Sequence, residues 1–155
     1  MPKAKMSEDY ISNLREKALK GSAEAQNMMG VLYATGDIDG RCNNSEAIDW
    51  YLRAASLGFS EAMWNAGSML VDGDVGVDIN EVVGLILIRG AADAFQTSAC
   101  LFLSRCYECG YYGFPKNENL SGFWRDAAYR SDLHNLYNKT VEMKVLRFYF
   151  PDLDI

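Results

Sequence analysis

Residues 23–58 read AEAQNMMGVLYATGDIDGRCNNSEAIDWYLRAASLG, and this stretch decides the fold because two more copies of its pattern follow. A step of 37 positions carries Ala25 onto Ala62 and Ala99, and Gly36 onto Gly73 and Gly110. The same step carries Asn43 onto Asn80 and Asn117, and Ala54 onto Ala91 and Ala128. Trp50 and Trp124 stand in register with Leu87 between them, Tyr33 and Tyr107 with Leu70 between them, and Gly30 falls on Gly67. The phase holds over three copies without a gap, and a fixed period of this size marks a repeat array.

Each copy reads as helix, loop, helix. In the first, Ala25, Met28 or Met29, Leu32 and Tyr33 fall on one face at helical spacing rather than the alternation of a strand. Gly36 stops this helix, since glycine takes the left-handed end conformation freely. A second helix starts near Asn43 or Asn44, whose amide can cap free N–H groups, and buries Ala47, Tyr51, Ala54 and Ala55 before Gly58 closes it. Copy two repeats the plan from Ser60, a candidate N-cap, and copy three from Thr97. Small residues let the helix axes approach while the aromatic ones fill gaps between layers.

The chain 1–155 is expected to form one repeat domain. A capping half-repeat occupies 7–21, repeats occupy 22–58, 59–94 and 95–131, and a C-terminal capping helix and tail occupy 132–155. No copy can bury its apolar face alone, so the three are expected to stack. The helix around Val82-Val-Gly-Leu-Ile-Leu-Ile is apolar nearly all round, which predicts deep burial. Copy three has Ser104 where the others carry Gly30 and Gly67, which predicts looser packing there.

These residues resemble Sel1-like repeats, a variant of the tetratricopeptide architecture. The resemblance rests on Ala23, Ala25, Gly30, Tyr33, Gly36, Ala47, Trp50, Tyr51, Ala54, Ala55 and Gly58 in copy one. Copy two supplies Ala62, Gly67, Gly73, Gly76, Val77, Ala91 and Ala92, and copy three Ala99, Tyr107, Gly110, Gly113, Trp124 and Ala128. The loops are longer between their paired glycines than the family pattern, and Asn replaces Asp before each second helix. The resemblance covers residues 7–131 and implies an all-α fold, a right-handed α-solenoid of about three helix-loop-helix repeats with capping helices at both ends. It also implies a protein-binding scaffold rather than an enzyme.

The formal charge of -6 and pI of about 4.7 argue against nucleic acid, whose phosphates need a basic stripe. No apolar run reaches membrane-spanning length, and no hydrophobic stretch follows Lys3 and Lys5, so neither a membrane nor a signal peptide is expected. The cytoplasm is the expected compartment, and Cys42, Cys100, Cys106 and Cys109 fit it as free thiols. Cys106 and Cys109 have a ligand-like C-x-x-C spacing with Cys100 nearby. Cys106, however, aligns with Leu32 and Met69, and His134 is remote in sequence, so buried thiols acting as small hydrophobes are the reading adopted. Residues 72–81 fail the spacing of a calcium loop. No catalytic set or phosphate loop can be assembled, so no enzyme, cofactor or metal is expected. A Cys/His metal-binding or enzymatic protein would require Cys106, Cys109 and His134 to converge.

Function is therefore sought on a surface. The first helix of each repeat is expected to line a concave face, away from the Ala/Gly stripe. Copy one places Glu24, Asn27 and Val31 there, copy two Glu61, Trp64, Ser68 and Asp72, and copy three Leu101, Arg105 and Glu108. Trp64 would be an aromatic anchor within an acidic rim, or a wedge between repeats. Tyr111 and Tyr112 form a second candidate patch in the third loop, while Phe114 aligns with Val77 and could plug that loop into the core. The expected function is non-catalytic binding of one protein partner carrying a basic segment. The alternative is a dedicated inhibitor, an immunity protein, of a cognate bacterial toxin or enzyme.

Overall fold

The computed structural model describes residues 6–129, and all their regular structure is helical. Seven α-helices follow one another: α1 Glu8–Leu19, α2 Ala23–Thr35, α3 Asn44–Ser56, α4 Ser60–Asp72, α5 Glu81–Asp93, α6 Thr97–Cys109 and α7 Glu118–Tyr129. A 3-10 turn at Tyr111–Gly113 precedes α7. The all-α repeat fold expected from the 37-residue period is present. The C-terminal capping helix and His134 lie outside the described residues.

Local chemistry sets the helix ends. Gly36, Gly73 and Gly110 close α2, α4 and α6 in the left-handed conformation, with φ of 77°, 71° and 76°. Each repeat then uses its asparagine twice. The side-chain oxygens of Asn43, Asn80 and Asn117 accept from the backbone N–H of Glu46, Val83 and Leu120 at 3.1, 3.2 and 3.0 Å, capping α3, α5 and α7. Their own N–H groups donate back to the carbonyls of Tyr33, Leu70 and Tyr107 at 2.8–2.9 Å. The asparagine thus starts the second helix and ties it to the last turn of the first. Ser60 is a correction: it is the first residue of α4, and Phe59 occupies the N-cap position without a side-chain hydrogen bond.

The described residues pack as two compact units that divide between Ala91 and Ala92, within α5. In the first, Ala18, Ala25, Met29 and Trp50 form one buried cluster. A larger cluster joins α3 to α4 through Ala47, Ile48, Tyr51, Ala54, Ala55, Ala62, Ala66 and Met69. In the second unit α6 packs on α7, burying Ala99, Cys100, Leu103 and Cys106 with Phe123, Trp124, Ala127 and Ala128.

One register position controls how closely each helix pair approaches. A methyl group at Gly30 would lie 2.6 Å from the ring of Tyr51. One at Gly67 would lie 2.9 Å from the carbonyl oxygen of Gly84, and one at Gly84 would lie 2.8 Å from that of Gly67. In the third repeat the same two positions are Ser104 and Ser121, both buried, and Ser104 Oγ donates to the Ser121 carbonyl at 2.8 Å. The looser packing expected at Ser104 is thus corrected: a hydrogen-bonded seam replaces the glycine seam.

The burial expected for α5 is also corrected. Gly84, Ile88 and Ala91 face inward, but Val82 and Ile86 are 70% and 65% exposed and Val83 is 39% exposed. The glycine seam is the physical reason. It draws α5 onto α4 along Gly84, Ile88 and Ala91, with Leu85 and Leu87 half-buried, and leaves the flank of Val82, Val83 and Ile86 outside the contact.

Candidate functional site

In the first unit, α4 lies against the end of α2 and the start of α3 around a cleft of about 360 Å³. Ala34, Tyr51 and Met69 supply its apolar lining, while Asn44, Asn65, Ser68 and Asp74 supply polar groups, with the exposed Cys42 thiol beside them. Asn65 organises this edge. Its Nδ2 donates to Asn27 Oδ1 at 3.2 Å, and its carbonyl accepts from Ser68 Oγ at 3.1 Å. Burial pushes the Tyr51 phenol up to about 12, so it remains a neutral hydroxyl at any ordinary pH. The cleft therefore offers amides, hydroxyls and one carboxylate over an apolar floor, a set that can hydrogen-bond a peptide main chain and side chains.

The sequence-expected residues fall into several environments. Asn27 is buried and engaged by Asn65, and Ser68 lines the cleft. Val31 packs on the core cluster and Trp64 is half-buried. Glu61 and Asp72 are exposed at opposite ends of α4. Glu24 is exposed on a smaller cleft of about 230 Å³, which it shares with Tyr10 and Lys17 of α1. The structure brings Asn27 and Ser68 together through Asn65, which sequence reasoning missed. A signal existed: Asn65 aligns with Met28, an amide where the other copy is apolar.

In the second unit Arg105 and Glu108 are exposed and Leu101 is half-buried. Tyr111 is 54% exposed, while Tyr112, at a left-handed φ of 53°, stacks on Phe102 with ring centroids 5.5 Å apart. Phe114 meets Tyr107 edge-on at 5.1 Å, which plugs the loop against α6. Burial pushes the Cys100 thiol up to about 12, and burial followed by the nearby Cys109 pushes Cys106 up to about 11. A thiol held protonated is a poor nucleophile and a poor ligand. Among the described residues, no three His, Cys, Asp or Glu side chains gather to hold a metal ion. None of the described helices is by itself long and apolar enough to cross a membrane.

The model of the Sel1 repeat matches residues 23–59, 60–94 and 97–130. The chain belongs to the Sel1 repeat family. Sel1 repeats generally mediate protein–protein interaction, and the family is typically non-catalytic. Among solved structures, the chain is similar to a Sel1 repeat protein from Oxalobacter formigenes, with a TM-score of 0.64 and 25% identity. That match covers 83% of this chain and 93% of the other. It is also similar to a protective antigen present in uropathogenic Escherichia coli strains that displays an SLR fold, with a TM-score of 0.68 and 23% identity. There the match covers 90% of this chain but 28% of the antigen, and it supports the fold alone. No curated protein matches the sequence.

Proposed function

We propose that this Sel1 repeat protein binds one protein partner without transforming it, and that in the first unit the α2–α4 face is the contact surface. The observation that carries this reading is the 360 Å³ cleft, whose polar edge is organised by the Asn27–Asn65–Ser68 hydrogen bonds. Pre-arranged amides lose little conformational freedom when a partner main chain arrives. Glu61, Asp72 and Asp74 are exposed on α4 and the loop after it, so a basic segment is the matching occupant. Half-buried Trp64 presents part of its ring as an aromatic contact on the same helix. Leu101, Arg105, Glu108, Tyr111 and Tyr112 form a separate contact set on the second unit.

Affinity capture from source-cell lysate with the wild type and with a Trp64→Ala, Glu61→Lys variant, both checked for helicity, tests the reading. A single abundant partner should be captured, and the purified pair should bind about tenfold or more weakly in the variant. A partner that binds the variant undiminished removes the α2–α4 face from the proposal. The activity of that partner with and without this protein then separates an adaptor from a dedicated inhibitor of a toxin or enzyme.

A further inference from the structure

The exposed side of α5 and the loop before it carry large apolar residues that the cleft does not use. Val75 is 91% exposed, Ile79 68%, Val82 70% and Ile86 65%, with Val83 beside them. On α5, Val82 and Ile86 are one helical turn apart and share a face with Val83. None of the five lines the 360 Å³ cleft. The fold itself does not require them to be apolar. At the same register α3 carries Ser45, Glu46 and Asp49, all exposed, and packs as a regular second helix, whereas α7 carries Asn119, Leu120 and Phe123 and buries Phe123. An apolar flank left this exposed on α5, where α3 carries polar residues, marks a contact surface.

Charge indicates what covers it. Asp72, Asp74, Asp78 and Glu81 are exposed and interleaved with Val75 and Ile79, and no Lys, Arg or His occurs between Arg53 and Arg89. A two-fold contact with a second copy would bring these carboxylates against their own kind. An anionic membrane surface would be repelled in the same way. We propose that the strip Val75–Ile79–Val82–Val83–Ile86 docks an amphipathic helix of a partner protein, one with an apolar stripe flanked by lysines or arginines. The stripe lies on the valines and isoleucines while its basic flank meets the four acids. The apolar strip lies outside the α2–α4 cleft, and Asp78 and Glu81 belong to it alone, while Asp72 and Asp74 are shared with the basic-segment reading of that cleft.

The test uses an amphipathic helical peptide of about 18 residues, with Leu at i, i+3, i+4 and i+7 and Lys elsewhere, and its Lys→Glu counterpart. Fluorescence anisotropy reads binding to the full chain, to the triple variant Val82→Ser, Val83→Glu, Ile86→Asp, and to Glu61→Lys. The triple variant installs the residues that α3 carries at these positions, and Ile86→Asp alone serves if it fails to fold. The substitutions add negative charge, so attraction by charge alone would strengthen; docking on the strip requires about a tenfold or greater loss. Glu61→Lys should keep most of the affinity, and the Glu peptide should bind far more weakly.

Several results would overturn the proposal: no binding of the Leu/Lys peptide, undiminished binding by the triple variant, or equal binding of the Glu peptide. Loss in Glu61→Lys with retention in the triple variant would also overturn it, while leaving the cleft reading intact. So would binding to phosphatidylserine-containing vesicles that the triple variant abolishes, or self-association abolished by the same changes without peptide binding.

Discussion

At Gly67 and Gly84 the backbones of α4 and α5 approach until each glycine lies against the carbonyl oxygen of the other. A carbonyl is part of the helix frame and cannot rotate away as a side chain can. Gly67→Ala places its methyl 2.7 Å from Ile88 Cγ1 as well as 2.9 Å from the Gly84 oxygen, so the helices must separate. Urea unfolding should show a loss of about 1–3 kcal/mol, the usual cost of overpacking. Gly122 is the contrasting case. It lies inside α7 with nothing near its missing methyl, so Gly122→Ala should raise stability by about 0.5–1 kcal/mol. A similar loss from both substitutions would show that backbone approach is not what separates them. The seam also explains why Ser104 is no defect, because its hydroxyl finds the Ser121 carbonyl where two glycines would otherwise meet.

Among the elements, the second helices depend on the asparagine before them. Removing one amide deletes the cap but spares the backbone N–H that reaches back to the first helix. Asn80→Ala should therefore cost about 1 kcal/mol in urea unfolding and speed hydrogen exchange at the Val83 amide, with Asn80→Ser restoring most of both. Unchanged exchange at Val83 would show that the cap adds nothing. This device was readable from sequence, because Asn43, Asn80 and Asn117 recur in phase and asparagine has few other reasons to precede a helix. Ser60 was misread, since serine is as acceptable in a first turn as at a cap and only geometry separates the two. The exposed flank of α5 was not readable either. Periodicity reports how apolar a helix is, whereas the area it buries depends on how wide a strip its neighbour covers.

For the molecule as a whole, the period fixed the helices and their order, yet the cleft was legible only in part. Ser68 lay on the expected face and Asn65 left a register signal as an amide among apolar equivalents, but Asn44 and Asp74 join them through tertiary contacts that no register shift encodes. Buried acids give a test at this scale. Cys100 and Cys106 are neutral when protonated, and burial raises both thiols above the ordinary thiol value of 9.0, as it raises the Tyr51 phenol above its ordinary 10.0. The folded chain retains protons that the unfolded chain loses, so stability is intact below pH 9 and declines as pH rises toward 11 and 12. Urea midpoints measured across that range should fall, and Cys100→Val should flatten part of the decline; a slope unchanged by that substitution would remove Cys100 as a cause. A last consequence follows from the asparagine ties. In every repeat the glycine that ends one helix and the asparagine that opens the next enclose six residues: DIDGRC, DVGVDI and YYGFPK. Both borders are secured by the same backbone bonds whatever stands between them. The insert is thus a cassette held inside where residues such as Phe114 and Val77 pack inward, and its outward positions can acquire new specificity without renegotiating the architecture.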